Sequence, residues 1–126
     1  MIGLTAVAIA MALASPARAV EIDRLTGRWS SLDLDECQYP DDSEAAPLRI
    51  EHDADATHIG NYGWLCTVSD WKRDDGDLVG EAKACGQEGG DETFDQAFRL
   101  GLDGGDRLIM TDGGTVTALR RCPAAQ

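Results

Sequence analysis

Four cysteines, Cys37, Cys66, Cys85 and Cys122, are the residues best equipped to do chemistry. Their number is even and their spacing is wide. No pair has the Cys-x-x-Cys form of a zinc or dithiol site. The chemistry expected of them is therefore oxidation to two disulfides in an oxidising compartment. The only histidines are His52 and His58. His52 alternates with Leu48 and Ile50, so it reads as a histidine at the edge of a core and not as a general base. His58 follows a turn and is expected to be exposed. Ser30, Ser31, Ser43 and Ser69 lack a Gly-x-Ser-x-Gly setting, and nothing signals a triad assembled from distant positions. The 23 acidic residues are too many to single out a glycosidase pair. Asp53-x-Asp55-x-Thr57 and Asp74-Asp75-Gly76-Asp77 invite a calcium reading. The first, however, has His58 where an EF-hand loop needs Gly and lacks Glu at the twelfth position. Both read better as solvated turns. No catalytic residue, metal ligand or cofactor is expected, and the chain reads as non-enzymatic.

The elements that position the cysteines centre on Ile59 to Gly89. Two strand-like runs flank the Asp/Gly turn at 74–77, and each run carries one cysteine. A four-residue loop at 74–77 sets Cys66 across from Cys85 at a non-hydrogen-bonded rung. There the Cα atoms lie about 4.5 Å apart, within reach of a disulfide. A two-residue loop at Asp75-Gly76 gives the same opposition at a hydrogen-bonded rung, which fits less well. Strict alternation then places Leu65, Thr67, Ser69 and Trp71 on one buried face with Leu78, Ala82 and Ala84. The cysteines fall on the outer face, and Asp70 faces Glu81, an unfavourable like-charge pair.

Elsewhere, Gly27 to Leu32 and Leu48 to His52 read as strands, separated by an acidic, Pro-containing loop around Cys37. Phe94, Gln96, Phe98, Leu100 and Leu102 alternate with Asp95, Ala97, Arg99 and Gly101, the cleanest half-buried strand of the chain. Leu108 to Met110 and Thr115 to Arg121 follow, each after a Gly/Asp turn. No window has convincing helical periodicity. The expected fold is all-β: an antiparallel meander of seven or eight strands closing into a small barrel, which removes its edges, stapled by two disulfides.

The first nineteen residues are expected to be a signal peptide. Ile2 to Ala14 is apolar but short for a membrane span, and Ala17-Arg18-Ala19 has the small-x-small form of a cleavage site. No Lys or Arg precedes Ile2, which leaves the start of translation open. Residues 20–126 are expected to form a single β-barrel domain, periplasmic or secreted, monomeric, and without membrane insertion after cleavage. The chain carries −12, and loss of Arg18 leaves −13. That charge disfavours nucleic acid and anionic membranes as partners. A cationic protein is the natural partner to expect from it, although the plainer reading, that the acidity serves solubility alone, carries more weight.

Two features suggest a family. Gly27-Arg28-Trp29 opens the first strand, and Arg120-Arg121 closes the last. The pattern resembles calycin-type barrels such as lipocalins, in which a Gly-x-Trp at the first strand has its ring covered by an Arg near the last strand. The resemblance implies a barrel-floor lock of Gly27, Trp29, Arg120 and Arg121, held by cation–π contact and packing. The length and layout look more like small periplasmic metalloprotease inhibitors of the Inh type, which have fewer cysteines. Tyr62-x-x-x-Cys66, Cys85-x-x-Glu88-Gly89 and Arg121-Cys122 are similar, closer still, to uncharacterised bacterial exported proteins, a likeness that implies no activity.

Tyr62 and Trp64 share a strand face with Cys66 and Val68 and mark a candidate binding surface if that face turns outward; core packing is the alternative. Phe94, Phe98, Leu100, Leu102, Leu108 and Met110 are expected to fill a short barrel and leave little cavity. The expected function is an exported binding module, with inhibition of a hydrolase as one form and a cationic enzyme such as lysozyme as an electrostatically sensible target. A small-ligand carrier and a structural envelope protein are the alternatives. For the cysteines, the expected pairing is Cys66–Cys85 with Cys37–Cys122, because seven strands would bring Cys37 and Cys122 to the same end. Eight strands would favour Cys37–Cys66 with Cys85–Cys122.

Overall fold

A computed structural model describes Gly3 and residues 21–124. Apart from Gly3, the expected signal peptide lies outside the described residues. One helical turn, α1 (Ile22–Leu25), precedes eight strands: β1 (Gly27–Ser31), β2 (Leu48–His52), β3 (Thr57–Gly60), β4 (Trp64–Asp74), β5 (Asp77–Gln87), β6 (Thr93–Leu102), β7 (Arg107–Asp112) and β8 (Thr115–Arg121). Each strand pairs antiparallel with the next, and β1 also pairs with β8, closing the barrel. No helix among the described residues is long and apolar enough to cross a membrane.

The eighth strand arises where the Ile59–Cys66 run breaks. Asn61 Oδ1 accepts the Gly63 N–H at 2.8 Å, and the Asn61 N–H donates to the Trp64 carbonyl at 3.0 Å. This turn separates β3 from β4. Gly60 is required beside it, because a Cβ there would sit 2.2 Å from the Trp64 carbonyl oxygen. Ahead of β1, Ile22–Leu25 forms the single helical turn α1, with Leu25 buried.

The disulfides are Cys66–Cys85 and Cys37–Cys122. Eight strands do not dictate the second pairing by strand direction alone. Instead, the β1–β2 connection doubles back over the outer face of β1. Ser30, fully buried, holds it: its Oγ donates to the Leu34 carbonyl at 2.8 Å and accepts the Glu36 N–H at 3.0 Å. Glu36 returns a bond to the Ser31 N–H at 2.7 Å. A 3₁₀ turn, Glu36–Gln38, thereby delivers Cys37 to Cys122, whose N–H is bound to the Arg28 carbonyl.

The hairpin departs from strict alternation twice. It turns through two residues, Asp75 (φ 51°) and Gly76 (φ 86°), between paired Asp74 and Asp77. Two positive φ values define the type I′ turn that suits a twisted hairpin. The register then slips at two places. Ser69 and Asp70 lie opposite Glu81 alone, because Val68 pairs with Ala82 and Trp71 with Gly80. Lys83 and Ala84 lie opposite Thr67, with Ala84 at φ 58°. One bulge on each strand restores the overall register, so Cys66 still meets Cys85. Each bulge also shifts the side-chain parity by one. The expected inward face is therefore corrected. Trp71, Leu78 and Ala82 point in, but Leu65 (51 % exposed), Thr67, Ser69 and Ala84 line the outer wall. Cys66 and Cys85 are buried inside, with Cα atoms 4.3 Å apart. The parity change moves them onto the close, non-hydrogen-bonded rung that a two-residue turn without bulges would deny them.

Candidate functional site

The two ends of the barrel differ. At one end, Leu25 of α1 is fully buried and partly buried Ile22 packs on the core beside it. Trp29, also fully buried, donates from Nε1 to the Leu25 carbonyl at 2.8 Å. The Arg121 guanidinium lies 4.2 Å from the centre of the Trp29 ring. It donates to the Thr26 carbonyl at 3.0 Å and to the Arg24 carbonyl. One arginine thus covers the indole and satisfies carbonyls at the end of α1. Gly27, at φ 131°, lies against Arg121. Arg120 does not join this group. It pairs across the barrel wall with Ser30, faces outward, and bonds Asp35 at 3.0 Å. This end is closed.

The other end is open. Trp64, Phe94, Gln96, Phe98 and Asp112 ring a cavity of about 310 Å³ above Cys66 of the inner disulfide. That volume is at the lower limit of ligand pockets. The barrel interior is therefore filled only in part. Leu100, Leu108 and Met110 pack the middle, while Phe94 and Phe98 become walls, correcting the expectation of little cavity. Trp64 stacks on Phe98 with ring centres 6.3 Å apart and planes 12° apart. Tyr62 is not on the same face. It sits in the β3–β4 turn, exposed, with Glu88 beside its phenol. Hydrogen bonding and charge repulsion from Glu88, with smaller contributions from burial, Glu44 and Asp42, hold the phenol above its usual range.

Asp112 pairs with Phe98 across β6–β7 and so shares its inward side. Its carboxylate has no ion pair or hydrogen bond to a side chain or backbone among the described residues, and partial burial raises its pKa above the usual Asp value. Gln96 lies next to it against Gly113, where an added Cβ would be 2.7 Å from Nε2. Among the described residues no Lys or Arg lines the cavity.

Around this mouth stand most of the exposed large apolar side chains. Leu32 and Leu34 lie in the β1–β2 connection, Tyr62 and Leu65 at the β3–β4 turn, and Val116 beside the β7–β8 turn, with Leu65 and Val116 on the outer wall next to the mouth. Among the described residues only Tyr39 sits elsewhere, where Arg28 binds its carbonyl on the outer wall. The connections that leave from the open end, residues 32–47, 61–63, 88–92 and 113–114, contain nine Asp or Glu and no Lys or Arg, although the first of them runs down the outer wall and carries Asp41 to the closed end beside Gly27 and Arg28. Asp35 is paired with Arg120, and Asp41 with Arg28 and Arg49.

The histidines lie on the wall. His52 is exposed at the closed end, with Nδ1 2.9 Å from Thr57 Oγ1, to which Trp71 Nε1 also donates. His58 has Nε2 3.2 Å from Asp53 Oδ2 and Nδ1 3.1 Å from Thr67 Oγ1. This acid–imidazole–hydroxyl order is that of a hydrolytic triad, and alternation alone would not have found it. The cavity beside it holds only about 20 Å³. Asp53 Oδ1 meanwhile caps the N–H groups of Asp55 and Ala56 at 2.8 and 2.9 Å. These bonds, with the one from His58, keep its pKa below the usual range. The group ties the β2–β3 turn to the wall. Asp74 and Asp77 are both bound by Arg99. Among the described residues no group of three or more His, Cys, Asp or Glu is placed to hold a metal ion.

Comparison with protein-family models, with curated proteins and with solved structures found no match to this chain. The geometry alone defines what can be said of the class: a small, closed, antiparallel barrel with two disulfides and one open end.

Proposed function

We propose that the protein is an exported, non-enzymatic binding module that engages a cationic protein partner through the open end of its barrel. One observation carries this reading: among the described residues, nearly all the exposed large apolar side chains lie in connections or at strand ends near the open mouth. Scattered apolar residues need no explanation, but a rim of them around a pocket marks an interaction site. The acidic, arginine-free connections at that end supply the charge that a cationic partner would follow in. The two disulfides fit an oxidising compartment, and periplasmic or secreted residence follows from this reading. Inhibition of a hydrolase is one form such binding takes. The pocket favours a second reading, a small-ligand carrier, because its volume suits a compact organic molecule.

The test is retention of a partner from envelope extract on the immobilised protein. The wild type and a closed-end variant, Asp103→Lys, should hold the same partner, and a variant carrying Leu34→Ser, Leu65→Ser and Val116→Ser should lose it. Association should slow steeply as salt rises, since steering is screened beyond roughly 10 Å at 0.1 M. Retention by the triple variant would overturn the open-end reading.

A further inference from the structure

We propose that the mouth pocket takes an organic cation with an apolar body, its charge held by Asp112 and its body laid against Trp64, Phe94 and Phe98. The proposal rests on the open-end reading and names the chemistry of what enters. Three observations converge on it. The walls are aromatic, and two of the rings are already fixed by stacking on each other. Aromatic faces attract cations, most strongly where water is partly excluded. Among the described residues the one ionisable group in the lining is Asp112, a carboxylate with no ion-pair or hydrogen-bond partner among them. Its neighbours in the lining, Gln96 and Thr115, are neutral and able to bond the remaining N–H groups of an ammonium or guanidinium.

The alternatives fit less well. A neutral apolar ligand would leave Asp112 desolvated without compensation, which costs free energy. An anion would meet Asp112 inside and the acidic connections outside. The Cys66–Cys85 disulfide beneath the rings ties β4 to β5 and keeps the Trp64 wall in place before any ligand arrives. Preorganisation of this kind reduces the ordering cost of binding.

The same chemistry has two sources: a free arylalkylamine, or a Lys or Arg side chain of the partner. The experiment is a titration of the purified, oxidised protein, followed by the indole N–H resonance of Trp64. The probes are phenethylamine, its neutral isostere phenethyl alcohol, phenylacetate, and the N-acetyl amides of lysine and arginine. Phenethylamine or one of the amino-acid amides should bind at least about tenfold more tightly than the alcohol, with phenylacetate weakest. Asp112→Asn should abolish that preference, while Asp112→Glu and Asp103→Asn should keep it. Tighter binding of phenethylamine assigns the pocket to a free amine, and tighter binding of an amide assigns it to a partner's side chain. Equal binding of amine and alcohol would overturn the cation while leaving the open end as a binding site. No binding by any probe would also overturn it, and the partner-retention experiment would then decide the open-end reading separately.

Discussion

Two residues fix the character of the two ends. Arg121 reaches inward, over the Trp29 ring and onto the last carbonyls before β1, whereas its neighbour Arg120 reaches outward to an exposed aspartate. Arg121→Ala should therefore destabilise by about 2–3 kcal/mol, from lost cation–π contact and charged hydrogen bonds. Arg120→Ala should cost less than about 1 kcal/mol. Urea unfolding of both variants checks the contrast. Asp112 acts in the opposite sense. Its folded pKa is raised by partial burial. A carboxyl with a raised folded pKa adds stability below its unfolded value, about 3.9, and loses that contribution as pH rises through the folded value. Asp112→Asn should thus melt higher than wild type at neutral pH, with the gap shrinking as pH falls towards 4. The group proposed to hold a cation is one that the fold would be steadier without.

At the scale of the element, the β4–β5 hairpin carries most of the information. Its two bulges let an eleven-residue strand pair keep register while moving both cysteines inward. Gly80 sits where that shift brings side chains together. A Cβ there would meet Val68 Cγ1 at 2.6 Å, Trp71 Cε3 at 2.8 Å and the Asp70 carbonyl oxygen at 3.0 Å. Gly80→Ala should destabilise by about 1–3 kcal/mol through overpacking. Ala84, by contrast, pays for its left-handed backbone at the second bulge. Ala84→Gly should stabilise by about 1 kcal/mol, because a left-handed conformation costs a residue with a Cβ roughly that much. Melting temperatures of the two single variants, expected to move in opposite directions, test whether the bulges lie where the register places them.

At the scale of the whole molecule, the disulfides divide the work. Cys37–Cys122 spans 85 residues and Cys66–Cys85 spans 19. On loop-closure entropy, the long link should contribute about 4.5 kcal/mol and the short one about 3 kcal/mol. Because the short link faces the interior, alanine is the right replacement there: serine would add buried hydroxyls that need partners. Denaturant unfolding of the two Cys→Ala double variants should rank the long link as the costlier loss. A reversed order would mean that packing around the inner disulfide outweighs chain entropy. The two links also serve different ends. One pins the acidic β1–β2 connection to the outer wall, and the other braces the aromatic mouth.

Much of this fold is written locally. Alternation in Phe94–Leu102 places that strand, Asp/Gly pairs place the turns, and two facing runs with one cysteine each place Cys66 against Cys85. These are properties of neighbouring residues, set by a side-chain period of two and by the φ values that turns demand. The inward side of the cysteines was not legible, because a bulge moves parity by one residue and leaves no fixed mark in composition. Nor was the route of Cys37, which depends on Ser30 holding a connection folded back over β1. The open mouth was the least legible of all. Trp64, Phe94, Phe98 and Asp112 come from three separate strands, β4, β6 and β7. Whether those aromatic residues fill a core or line a pocket depends on which strands face each other around a closed barrel. Closure is a long-range event, decided by the pairing of β1 with β8 and by the plug that α1 places at only one end.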